Sequence, residues 1–197
     1  AHQRGIKVII DLVVNHSSSE HPWFKDALSS PESPYRDWYI WGNEETNIFE
    51  TGEWGQQVWH GSGSNRYYGT FWGGMPDLNL DNPEVRTEFI KIGRFWLEEV
   101  GVDGFRLDAA KHIYPKQPEK NHAWWREFRA AMQEIKEDVF LVGEVWAPAT
   151  TVAPYLENVL HSAFNFDLAE KILASAKSES DAGVVTSLER VRRYFNT

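Results

Sequence analysis

The run Lys7-Val8-Ile9-Ile10-Asp11-Leu12-Val13-Val14-Asn15-His16 decides the fold class. Apolar, mostly β-branched residues fill it without alternation, Gly5 stands before it, and Ser17-Ser18-Ser19 follows. Continuous apolarity fits a strand covered on both faces in a parallel sheet, whereas a half-exposed antiparallel strand would alternate. The run closes on side chains with chemistry: Asp11, Asn15 and His16.

Two further apolar runs end the same way. Val102 to Leu107 carries Arg106 and leads to Asp108 and Lys111-His112; Val139 to Val142 leads to Gly143-Glu144. Between the first and second strands, Val85, Phe89, Ile92, Trp96 and Val100 predict a helix over Pro83 to Val100, with Asn82 as N-cap, Pro83 at its first position and Gly101 closing it. Helices are also predicted over His122 to Lys136, Val152 to Leu160, Asp167 to Ala176 and Val184 to Phe195, with a fourth strand at Ala163 to Phe166. Strand and helix alternate, which is the pattern of βαβ units and a parallel sheet.

Residues 17 to 74 break the alternation. They hold 6 of the 10 Trp and 8 of the 14 Gly, with Pro22, Pro31 and Pro34, and no sustained helical period. Three basic against eight acidic residues leave this stretch at −5 of the chain's −9. It reads as a loop-rich excursion with short strands at Asp37 to Trp41 and Gln57 to His60. The remainder of the 197 residues suffices for about four βα units at roughly 30 or more residues each. A closed (β/α)₈ barrel takes about 250.

Composition removes several functions. An acidic chain without a basic cluster lacks the footprint for nucleic acid, and no run approaches the ~18 apolar residues of a membrane span. With no Cys, disulfides, thiolate metal sites and Cys nucleophiles are excluded. HExxH, GxxxxGK[ST] and GxSxG are absent, and Gly61-Ser62-Gly63 lacks the strand-turn-helix context of a phosphate loop. Asn15-His16-Ser17 matches a glycosylation pattern at a strand end that burial would close to modification.

The polar clusters share one edge, the C-terminal ends of parallel strands, where α/β folds place ligands and catalysis. Asp108 alone could cap a turn. Glu144, ending an apolar strand beside Trp146, sits where desolvation keeps a general acid protonated, and two strand-end carboxyls form an acid and nucleophile pair for glycoside hydrolysis. Arg106 shares a strand face with Asp108 and could hold it ionised, though Asp11 is an equally good partner. From position alone Lys111 and His112 read as a solvated turn, and His16 as a polar substrate contact or a cap rather than a zinc ligand.

Together these clusters resemble the signature regions of the α-amylase family of glycoside hydrolases. Asp11 to His16 is similar to the first region, Gly104 to His112 to the second and Gly143-Glu144-Val145-Trp146 to the third, while Met75-Pro76-Asp77-Leu78-Asn79 resembles an additional motif near the end of the family's loop domain. The resemblance implies an α/β fold, a partial TIM (β/α)₈ barrel: strand 3 in residues 1 to 16, the protruding domain B in 17 to about 80, and the third through sixth helices with strands 4 to 6 in 81 to 197. It implies Asp108 as nucleophile, Glu144 as acid/base, Arg106 as the nucleophile's support, His16 as a sugar contact, and Lys111 and His112 on the leaving-group side. Retaining cleavage places such carboxyls about 5 to 5.5 Å apart.

The family's structural Ca²⁺ would meet Asn15, Asp77 and the main-chain carbonyl of His112, three hard oxygen donors of the roughly 6 to 8 expected. The implied substrate is an α-1,4-glucan or malto-oligosaccharide; rivals are an oligo-1,6-glucosidase or other α-glucosidase, a cyclomaltodextrinase, or a non-catalytic amylase-like scaffold. Localisation follows the substrate: extracellular for a starch-degrading α-amylase, cytoplasmic for an oligosaccharide-acting relative. The fourth signature region, with its His-Asp pair, would begin beyond Thr197, so the isolated 197-residue polypeptide is expected to be inactive on starch.

Overall fold

The computed structural model describes residues 1–195. Strands β1 (Ile9–Leu12), β4 (Gly104–Leu107), β5 (Phe140–Gly143) and β6 (Ser162–Ala163) form one sheet in that order. All three neighbouring pairs are parallel, and Asp11, Arg106 and Val142 stand level across the sheet. Helices α2 (Pro83–Arg94), α3 (Pro118–Ile135), α4 (Ala149–Leu156), α5 (Phe166–Ser178) and α6 (Val184–Phe195) follow β1's excursion and the later strands. The remaining elements are α1 (Pro22–Ser29) and the short antiparallel pair β2 (Trp59–His60) and β3 (Tyr67–Tyr68).

Sheet and helices share one core: Leu12, Phe105, Leu107 and Leu141 from the strands, Val85 and Phe89 from α2, and Trp124, Trp125, Phe128 and Met132 from α3. Burial of a large apolar side chain contributes about 1.5–3 kcal/mol, so this cluster outweighs any single polar contact of the fold. Gly104 is required where β4 meets β5, because a Cβ there would lie 1.9 Å from the Phe140 carbonyl oxygen.

Several sequence expectations need adjustment. The strand at residues 7 to 14 is four residues long, and Ile9 is exposed rather than covered on both faces. Asn82 caps α2 and Pro83 opens it as expected, but the helix widens to a π turn over Phe95–Val100 before Gly101. α3 begins four residues earlier than predicted, at Pro118, whose missing N–H costs nothing in a first turn. Where a strand was expected at 37 to 41 there is a 3₁₀ turn, Arg36–Trp38, followed by single bridges from Tyr39 to Leu78 and Trp41 to Tyr67.

The excursion adds an aromatic cluster that is continuous with this core. Phe24 of α1 meets Tyr39 and Tyr67 edge-on, each at 4.9 Å between centroids, and Trp23 packs on Trp38. Trp38 is buried in it, whereas Trp54 and Trp72 are exposed. Replacement of Gly104 by Ala should destabilise the fold by about 2–4 kcal/mol through overpacking against backbone. Urea unfolding checks this; a change below about 0.5 kcal/mol would contradict the close approach.

Candidate active site

Parallel register brings the predicted residues together. Arg106 Nη1 donates to Asp11 Oδ1 at 2.7 Å and to Asp108 Oδ1 at 2.5 Å, while Nη2 lies 2.6 Å from Glu144 Oε2. One guanidinium thus holds carboxyls from β1, from the end of β4 and from just beyond β5. The sequence left Asp11 and Asp108 as alternative partners of Arg106; both are partners. Glu144, expected to be desolvated beside Trp146, keeps 22% of its side chain exposed and also faces Arg106, because the parallel register sets β5's end beside β4.

The backbone after Asp108 is specialised. Ala109 adopts a left-handed φ of 47°, rare for a non-glycine residue, and its N–H donates to Glu144 Oε2 at 3.3 Å. Ala110 N–H donates to the Glu144 carbonyl, and the Trp125 indole of α3 donates to the Ala110 carbonyl at 2.7 Å. Buried core thereby holds the turn between the two carboxyls. Asn121 accepts from Tyr114 N–H and donates to the carbonyls of Lys111 and Tyr114, bracing the next turn.

Lys111 and His112 are not a solvated turn. Their side chains are 13% and 12% exposed, because the excursion folds over them and Glu53 binds both. His16 is buried edge-on to Phe71 at 5.4 Å between centroids. Burial pushes its imidazole below the ordinary histidine value, with the Asp108 charge pulling upward. His112 is likewise lowered by burial and then by Lys111, opposed by Glu53 and Asp108.

Glu144, Ala109, His112, Phe71, Trp54 and Trp146 line one open cavity of about 280 Å³. Trp54 and Trp146 are 58% and 56% exposed, so indole surface from the excursion and from beyond β5 borders the space beside Glu144. Trp146 was legible as a wall beside Glu144; Glu53, Trp54 and Phe71 were not singled out. Their only sequence signal was an acidic, Trp-rich loop punctuated by Gly52 and Gly55.

The excursion is zipped to the end of β1. Leu78 N–H donates to the Asn15 carbonyl and Ser17 N–H to the Pro76 carbonyl, which sets His16 opposite Asp77. Asp77 accepts from Thr70 N–H at 3.1 Å and Thr70 Oγ1 at 2.8 Å; burial pushes its carboxyl up to about 7. Asn15 Oδ1 nearby is buried without a partner. An unpartnered buried amide oxygen and a buried carboxylate are hard donors of the kind Ca²⁺ takes. Among the described residues no group of three or more His, Asp or Glu is arranged to hold a metal, so any such site would lean on neutral oxygens.

The profile of the family described as "Alpha amylase, catalytic domain" matches residues 1–196, and the chain belongs to the α-amylase family. It is 50% identical over 195 residues to "Alpha-amylase 3" of Dictyoglomus thermophilum, covering 99% of this chain and 37% of that protein. It is 37% identical to the "4-alpha-glucanotransferase" of Thermotoga maritima, covering 96% of this chain and 41% of the relative. The crystal structure of the α-amylase from H. orenii superimposes with a TM-score of 0.89 at 49% identity, over 99% of this chain and 40% of that one. The sheet is therefore part of an α-amylase-type barrel, and the chain spans about two-fifths of the length of these relatives.

Asp77 generates a pH prediction. Its folded value of about 7 lies above the ordinary 3.8, so between these the folded state binds a proton that the unfolded state lacks. Its contribution is full below pH 3.8 and is lost as pH rises toward 7. In chelator, wild-type protein should lose stability relative to Asp77→Asn as pH rises through that window. A constant gap in urea unfolding would contradict the assignment.

Proposed function

We propose that the whole protein hydrolyses α-1,4-glucosidic bonds of starch-type glucans with retention of configuration. The observation that carries this reading is the pairing of Asp108 and Glu144 through Arg106 at the C-terminal edge of the parallel sheet, beside an indole-bordered cavity. Asp108 attacks the anomeric carbon while Glu144 gives a proton to the leaving oxygen. A covalent glycosyl-enzyme results, and water breaks its bond to Asp108 while Glu144 takes a proton from that water. For the first step the Glu144 carboxyl turns from Arg106 toward the glycosidic oxygen.

Arg106 holds Asp108 in line for attack, and His16 contacts the sugar at the cleavage point. Lys111 and His112 bind the chain on the leaving-group side, and Trp54 and Trp146 offer flat apolar faces to pyranose rings. A purely scaffolding role does not require a nucleophile and an acid on one guanidinium. Hydrolysis is preferred over glucanosyl transfer because the relative at 50% identity is named an α-amylase, whereas the relative named a glucanotransferase is at 37%. Asp108→Asn and Glu144→Gln should each lower kcat on starch about 10³-fold or more in the full-length enzyme, and near-normal turnover in either would refute the assignment. Product analysis on starch, isomaltose and cyclodextrin separates this reading from oligo-1,6-glucosidase and cyclomaltodextrinase activity.

We further propose a structural Ca²⁺ at the junction of β1 and the excursion, held by Asn15 Oδ1, the Asp77 carboxylate and the His112 carbonyl. The buried, unpartnered Asn15 Oδ1 supports this. The ion would fasten the excursion to the sheet and takes no part in bond cleavage. Chelation should lower the melting temperature and added Ca²⁺ should restore it; identical melting with and without chelator would exclude the ion.

A further inference from the structure

Glu53 has no part in the chemistry described above, yet it occupies a singular position. Thr51 bridges to Gln57, Gly52 N–H donates to the Gln56 carbonyl, and Gln56 Oε1 accepts from Trp54 N–H, so residues 51–57 form a small hairpin with Glu53-Trp54 at its tip. Gln56 Nε2 donates to the Thr70 carbonyl at 2.7 Å and fixes the hairpin to the body of the excursion. A Cβ at Gly52 would lie 2.1 Å from Gln56 Nε2, so a larger residue there would displace the Gln56 side chain from its place.

The tip residues face different spaces. Trp54 lines the cavity that contains Glu144, while Glu53 lines a larger neighbouring cavity of about 770 Å³. Lys111 lines the larger cavity, and His112 lines both. Glu53 Oε1 accepts from Lys111 Nζ at 2.7 Å, and His112 Nε2 lies 3.3 Å from Glu53 Oε2. One carboxylate therefore engages both side chains of the β4–α3 turn that border the cleft. A second link, Lys116 to Glu50 at 2.7 Å, joins the same two loops farther out.

We propose that Glu53 is a positioning residue for the leaving-group side of the cleft: it holds the side chains of Lys111 and His112 in the orientation that receives the glucan and keeps Trp54 beside them. Two side chains with several rotatable bonds are presented in one arrangement, which reduces the ordering that sugar binding must otherwise impose. This rests on the reading that Lys111 and His112 contact the chain beyond the cleavage point.

The test compares Glu53→Ala, Glu53→Asp and Lys111→Ala in the full-length enzyme. Substrates are maltoheptaose and 4-nitrophenyl α-glucoside, whose leaving group does not extend along the cleft. If Glu53 positions these residues, Glu53→Ala raises KM for maltoheptaose about 3- to 10-fold, with a smaller change in kcat and in turnover of the aryl glucoside, as expected of a partly exposed charge-assisted contact. Glu53→Asp should recover part of the loss, and Lys111→Ala should reproduce it.

Equal losses on both substrates with a lowered melting temperature would make Glu53 merely structural and overturn the proposal. A raised KM in Lys111→Ala with none in Glu53→Ala would overturn it while leaving the underlying reading intact. An unaltered KM in Lys111→Ala would refute the underlying reading itself, and the role of Glu53 with it.

Discussion

The Arg106 guanidinium is the contact on which the arrangement of the site depends. Asp11, Arg106 and Val142 stand level on three parallel strands, so one side chain from the central strand reaches a carboxyl on either side. Three carboxyls close together would repel; a planar, permanently charged donor with five N–H groups is suited to hold them, and Lys is not. The strands bring the groups to one edge, and the guanidinium orients them. The left-handed backbone at Ala109 belongs to the same device, because it turns the Ala109 and Ala110 N–H groups toward Glu144.

Around this centre the excursion supplies what the sheet lacks. Its attachment at Asn15 to Ser17 and Pro76 to Leu78 is close to the strand end, which places His16 beside Asp108 and buries Asp77. Its far hairpin returns over the β4–α3 turn and converts Lys111 and His112 from rim residues into partly enclosed ones. The aromatic surplus divides accordingly: Trp23, Trp38 and Trp41 pack with Phe24 and Tyr67 inside the excursion and extend the common core, while Trp54 remains bare beside Glu144.

The parallel sheet was legible because continuous apolar runs report burial on both faces, and the helices because capping residues such as Asn82-Pro83 act over a few positions. The proposed acid and nucleophile were read for a related reason, since Asp108 and Glu144 sit where strands end and motifs are contiguous. Trp54, Glu53 and Phe71 were not legible. They come from a loop without period, and their relation to Glu144 and Lys111 depends on contacts across more than 50 residues of chain. The solvated reading of Lys111-His112 failed on the same ground: local polarity says nothing of what folds over it.

What the sequence determined by itself was the order of strands and helices, the polar edge, and the identity of the acid and nucleophile candidates, all encoded in short-range patterns. Tertiary structure decided which charges meet. It assigned Arg106 to three carboxyls rather than one, set Glu144 against a cation as well as beside the Trp146 wall, and sorted core Trp from exposed Trp. The physical reason is that hydrophobic periodicity is a property of neighbours in sequence. Charge pairing and ring exposure depend on distances that exist only after the chain has packed.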